Sequence, residues 1–275
     1  MAHNGETQTQ VELPGVGNTV GRSFILLRKN KYMIQLTHQE EAVFLGNLLG
    51  DGHIQKRGNC FRAKISHTIS QKEYVFWKYD QLKRLCDQDM SPKLVVANRT
   101  LKSTNMQEQS YLFYLNSGSY LKKYHDLFYK PYIWKPNSTK PSTILLDIDS
   151  NYELKKGEKI RYKKVITESL IAYFNQSPYL LAVWFLDQGS RRTDCFSGRF
   201  ATQGFSKSEQ HLLKRYLEQV FKIRSQIVIS SRLKNHYYLS IPGKNGHFAR
   251  LTKIIEPIVN QIPSMSYKIK DPRND

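Results

Sequence analysis

Cysteine is nearly absent: Cys60, Cys86 and Cys195 are all the chain has. Their odd number and the lack of any CxxC spacing argue against a disulfide framework and a cysteine-ligated zinc site. The scarcity weakly favours a reducing compartment. No run of about 18 apolar residues occurs, so no membrane span is expected. The first 22 residues lack the apolar core of a secretory leader and the arginine-rich amphipathicity of an import leader. They read as a flexible arm over 1–25. Acidic residues are also few: 23 Asp and Glu stand against 42 Lys and Arg, a formal net charge of +19. That excess suits a polyanionic partner, although a cationic ribosomal protein or a membrane-surface binder would share it. At 275 residues the chain is long enough to bury the core of one or two domains.

What the chain does have is a repeat. An apolar run ends at Leu45-Gly46-Asn47-Leu48-Leu49-Gly50-Asp51-Gly52, and a second at Leu181-Ala182-Val183-Trp184-Phe185-Leu186-Asp187-Gln188-Gly189. Each is followed by a basic, strand-like stretch and then a Ser-x-x-Glu step, Ser70 to Glu73 and Ser206 to Glu209. Repetition of this kind implies two similar halves about a pseudo-twofold axis. Thr37 and Glu40 form a capping-box pattern ahead of a helix over about 38–51. Ser177 and Pro178 supply an N-cap and a first-turn proline for the second helix. Gly46 and Gly50 fall on one helical face, where small residues admit a close helix neighbour; Ala182 is the small residue of the second run. The Ser-x-x-Glu steps predict two further capped helices, with Tyr74, Trp77, Leu82 and Leu85, and Leu212, Leu213, Leu217 and Phe221, as core.

Alternation between 53 and 69, with a turn at Arg57-Gly58-Asn59, predicts a hairpin with one basic face. Residues 94–101 and 111–116 predict a second strand pair, and 191–204 and 226–241 the counterparts in the other half. Singly, each is a solvated sheet face. Together, hairpins lined with Arg, Lys, Gln, Asn and His suit base reading, because two-stranded ribbons fit the major groove.

These motifs resemble those of the LAGLIDADG homing endonucleases, in the single-chain branch with two motif copies. The resemblance spans about residues 37–270. It implies an α+β fold of two pseudo-symmetric αββαββα half-domains, joined at a central pair of motif helices, with antiparallel sheets forming a DNA-binding saddle. The expected divisions are the arm at 1–25, an N-terminal half at 26–130, an insertion or linker at 131–161, and a C-terminal half at 162–270. The resemblance also implies an intron-encoded nuclease that cuts a long asymmetric duplex, acts as a monomer, and works in an organelle if organelle-encoded. Intron RNA is the alternative partner, for a maturase that assists splicing. A non-cleaving sequence-specific DNA-binding protein is the third reading.

By position in the motifs, Asp51 and Gln188 are the two catalytic and metal-binding positions. Mg²⁺ is the implied cofactor, with Ca²⁺ or Mn²⁺ able to substitute. The family carries a carboxylate where this chain has Gln188, so the second metal position should be weakened. Asp187 lies about 100° round the helix and cannot simply replace it. Preferential cleavage of one strand, binding without cutting, and slow double-strand cleavage all remain open at this stage. Lys164 and Lys268 correspond to the basic residues that support each active position. The expected DNA contacts are Gln55, Lys56, Arg57, Arg62, Lys64 and His67 in one half. In the other they are Arg191, Arg192, Arg199, Gln203, Arg232, Lys234 and Tyr238. His53 and His67 carry no metal-ligand spacing.

Overall fold

Two apolar helices lie against each other through small residues, and the other described elements from residue 34 onward are arranged around that seam. The computed structural model describes residues 34–87, 90–100, 107–135, 153–231, 233 and 235–271. The expected arm at 1–25 lies outside the described residues. Helix α1 (His38–Leu49) starts in a full capping box between Thr37 and Glu40. Helix α5 (Pro178–Gln188) starts at Ser177, whose hydroxyl accepts from the Tyr179 N–H. A Cβ on Gly46 would sit 2.6 Å from the Leu180 carbonyl oxygen and 2.9 Å from the Val183 Cβ, so only glycine permits this approach. Both helices are almost wholly buried, as a central seam requires.

After α1 the chain forms β1 (His53–Arg57) and β2 (Cys60–Thr68), then α2 (Lys72–Leu82). Strands β3 (Lys93–Thr100) and β4 (Gln107–Tyr114) and helix α3 (Lys122–Phe128) complete this half. After α5 the same order returns: β7 (Gly189–Arg191), β8 (Gly198–Phe200), α6 (Lys207–Phe221), β9 (Gln226–Ser231), β10 (His236–Ile241) and α7 (His247–Val259). Each half is thus αββαββα. The two four-stranded antiparallel sheets have matching orders, β1-β2-β4-β3 and β7-β8-β10-β9. Gly58 turns the first hairpin at φ +57°, a conformation glycine adopts without steric cost.

Several expectations need correction. The first helix ends at Leu49, leaving Asp51 beyond its last turn. Ser206 and Glu209 do form a capping box, but Ser70 and Glu73 do not. Ile69–Gln71 is a 3₁₀ turn leading into α2, and the Glu73 carboxylate instead accepts from the Ser264 N–H at 2.9 Å. The stretch at 191–204 contributes only the short strands β7 and β8. The ends of the expected insertion or linker carry strands. Strands β5 (Tyr129–Trp134) and β6 (Lys159–Lys164) pair antiparallel, with Tyr129 opposite Lys164; residues 136–152 lie outside the described set. A short helix, α4 (Glu168–Tyr173), follows β6.

The halves share one core that runs across the seam. Trp77 of α2 stacks on Tyr179 of α5, with ring centroids 6.4 Å apart. Its indole N–H donates to Gln261 Oε1 at 3.0 Å.

Candidate active site at the helix seam

The two motif helices end side by side, and their terminal polar residues meet. The Gln188 amide N–H donates to Asp51 Oδ1. Asp51 is about two-fifths exposed, so its carboxylate faces the open side of the seam. Its pKa is raised, first by desolvation and then by the Asp187 carboxylate nearby; Lys78, Gln188 and Lys164 pull the other way.

One lysine reaches each helix end. The β5–β6 hairpin is tied to β1 through the Tyr129 hydroxyl, which accepts from the Ile54 N–H at 3.0 Å. This brings Lys164, the last residue of β6, to the Gly50 carbonyl at 3.0 Å. In the second half a 3₁₀ segment after α7, Pro263–Lys268, delivers Lys268 to the carbonyls of Leu186 and Gly189 at 2.5 and 2.9 Å. Carbonyls at a helix C-terminus have no intrahelical donor and carry partial negative charge, which a lysine satisfies. Burial lowers both lysine pKa values to about 8, against the attraction of Asp187 and Asp51.

Asp187 is turned inward, with its carboxylate side chain fully buried. It accepts from Lys78 Nζ at 2.7 Å and the Tyr74 hydroxyl at 2.8 Å, and its other oxygen accepts from the Asp51 N–H at 3.1 Å. Burial alone would raise its pKa, but Lys78, His67 and Tyr74 outweigh it and hold the group below the usual carboxylate range. Desolvation, with the Lys78 ammonium adding to it, drives the His67 pKa down to about 3, so the ring is neutral near pH 7.

Asp51, His67 and Asp187 offer donor atoms within 4.8 Å of one another, a spacing that could hold a metal. The Lys78 amine already stands in that space, its pKa lowered by burial against the pull of Asp187. Lys78 Nζ lies 2.9 Å from His67 Nε2 as well as 2.7 Å from Asp187. On the exposed side, Asp51 and the side-chain oxygen of Gln188 could also hold a metal. Those are hard oxygen donors of the kind Mg²⁺ and Ca²⁺ take. Rotating the Gln188 amide by half a turn exchanges its nitrogen for its oxygen at that position.

The expected DNA contacts separate by strand parity. Gln55 and Arg57 on β1 share an open face with Arg62 and Lys64 on β2, as the pairing of Gln55 with Arg62 shows. An open cleft runs from Asp51 across this sheet past Lys64, Ser66, Thr68 and Ser110. His67 belongs to the opposite face with Phe61, Ala63 and Ile65 and is buried, reaching the cleft only at its Asp51 end. Lys56 also projects away from Gln55 and donates to the Tyr162 hydroxyl at 3.0 Å.

In the second sheet, Arg199 lies opposite both Ser190 and Ser240, and its guanidinium sits 5.7 Å from the Tyr238 ring. Arg191 is on the other pleat and donates to the Tyr267 carbonyl at 2.7 Å. Arg192 is exposed and paired with Asp194, and Gln203 is half-buried in a turn. Arg232 and Lys234 lie outside the described residues.

Sequence reasoning missed Lys78 and gave Asp187 no role. A signal for Lys78 was present: it lies four residues after Tyr74 and four before Leu82, on the apolar face of α2.

A family profile described as the LAGLIDADG DNA endonuclease family matches residues 41–135 and 138–248. DNA endonuclease I-ChuI of Chlamydomonas applanata is 23% identical over 86% of this chain and 97% of its own length. Cytochrome b mRNA maturase bI2 of Saccharomyces cerevisiae is 24% identical over 90% of this chain; the chain spans 55% of that protein's length. The fold is similar to that of homing endonuclease I-WcaI, solved bound to its DNA recognition sequence. That likeness has a TM-score of 0.64 at 20% identity and covers 86% of this chain and 88% of the other. With both profile segments matched and both motif helices in place, the chain belongs to the LAGLIDADG DNA endonuclease family.

Proposed function

We propose that the protein is a divalent-metal-dependent homing endonuclease that binds a long asymmetric DNA duplex and cuts one strand in preference to the other. The observation that carries this is the pairing of Asp51 with Gln188, one charged and one neutral side chain at matched helix ends. Asp51 would hold the ion through a carboxylate oxygen, and Gln188 would add only a neutral amide oxygen. A bound divalent ion polarises the scissile phosphate and eases deprotonation of the attacking water. The chain's own groups do the rest. Lys164 and Lys268 place positive charge beside the reacting phosphates. The open faces bearing Gln55, Arg57, Arg62, Lys64, Arg199 and Tyr238 align the duplex along both sheets.

The test is direct. A duplex carrying the intron-free insertion site is labelled on each strand and incubated with the protein and Mg²⁺. Scission of one strand well ahead of the other supports the reading, and no scission at any protein excess defeats it. The second reading is an RNA maturase, favoured by the missing carboxylate and the maturase relative. Tight binding to the intron RNA with no preference for the DNA junction would decide for it.

A further inference from the structure

We infer that Asp187 is a positioning residue, whose buried carboxylate reaches across the seam to fix the Asp51 backbone and so sets where the first catalytic carboxylate sits. The inference rests on the nuclease reading above and goes beyond it by assigning a task to a side chain outside the catalytic pair.

Helix α1 ends at Leu49, whereas α5 continues helically through Gln188. The backbone at Asp51 therefore lies past the regular ladder. Gly50 and Gly52 still donate to the carbonyls of Gly46 and Asn47, but the Asp51 N–H donates instead to Asp187 Oδ2 at 3.1 Å. Asp187 is itself held by Lys78 at 2.7 Å and Tyr74 at 2.8 Å. Lys78 spends its other donors on Asn47 Oδ1 and His67 Nε2, both at 2.9 Å. Burying such a pair brings little net stability, so its value lies in geometry.

The arrangement is one-sided. Asp187 stands where the first motif has Gly50, and a side chain on Gly50 would collide with it. No carboxylate at the matched position can reach back toward Gln188. The locked position and the charged position are the same one, Asp51.

Two double variants isolate the contact. Asp187→Asn/Lys78→Met removes the buried charges together and leaves a side-chain oxygen able to accept from the Asp51 N–H. Asp187→Ala/Lys78→Met leaves no acceptor. The alanine pair should cut the first strand about 10–100-fold more slowly than the asparagine pair, the usual scale for losing a supporting hydrogen bond at a metal site. Duplex affinity should be equal in the two. The Asp51 amide should be protected from hydrogen exchange in the parent and the asparagine pair, and labile in the alanine pair. Equal rates in the two variants, or a loss of duplex affinity that accounts for the difference, would overturn the inference. If the alanine pair does not fold, exchange in the parent decides: protection of the Asp51 amide supports the contact, and free exchange overturns it. A parent that cuts no duplex removes the nuclease reading, while exchange at Asp51 still reads the contact independently.

Discussion

Gly46 of α1 meets the backbone of Leu180 in α5 so closely that the place of a Cβ is already taken by the Leu180 carbonyl oxygen, 2.6 Å away. In an exposed helix, Gly46→Ala would stabilise by about 0.8–1 kcal/mol. Here the seam must open instead, and overpacking costs about 1–3 kcal/mol. We expect a net loss of about 1–2 kcal/mol, read as a fall in Tm of about 2–4 °C per kcal/mol for a chain of this size. A rise in Tm would contradict the close approach.

Asp51→Asn should abolish cutting while leaving the duplex bound. Losing the charged ligand forfeits several kcal/mol of transition-state stabilisation. At 1.36 kcal/mol per decade, that is a rate loss of about 10³-fold or more. Single-turnover cleavage and gel-shift titration on the same duplex check the two halves of the expectation.

The seam lysines make stability depend on pH. Lys164 and Lys268 have folded pKa values of about 8, below the ordinary lysine value of about 10.4 in the unfolded chain. Between those values the unfolded chain keeps protons that the folded one has released. Stability therefore rises with pH from about 8 upward, and is flat in this respect below that. The buried Cys86 thiol, pushed up to about 12, opposes the trend in part from about pH 8.5, and Tyr124, Tyr129 and Tyr216, whose burial raises their pKa values, do so near pH 10 and above. Urea midpoints at pH 7.5 and about 9.5 should increase in the parent, and the increase should shrink in Lys164→Met/Lys268→Met.

Basic open faces imply salt-sensitive binding. If 6–10 phosphates are contacted, affinity falls by about 10³–10⁵ between 50 and 200 mM salt. Lys64→Ala should flatten that slope by about one counterion, whereas His67→Ala, on the buried face, should not alter it. A flat response in the parent would contradict a duplex laid along both sheets.

The repeat made the paired helices at the seam readable from the chain itself, and the resemblance it carries pointed to Asp51 and Gln188 at their ends. Each capped apolar run states its own helix, and Gly46 marks where the two touch. What escaped the sequence was direction. His67 follows the same two-residue period as Phe61, Ala63 and Ile65, yet its polarity suggested the open face. Lys78 sits within an apolar helical face, where only its partner across the seam explains it. That partner is Asp187, and a contact between residues 109 positions apart leaves no local pattern. The β5–β6 pair was hidden for a similar reason: its strands pair along their whole length but are separated in sequence by a long proline-containing stretch.

Cleavage of a supercoiled plasmid carrying one target site tests the central claim most directly, with the parent compared to Gln188→Asp at equal excess and the same Mg²⁺. The parent should accumulate nicked circle and convert it slowly to linear DNA, and the variant should shift the product to linear. An unchanged linear yield in the variant, or intact supercoil with both proteins, would contradict a reaction centre whose second position lacks only a charge.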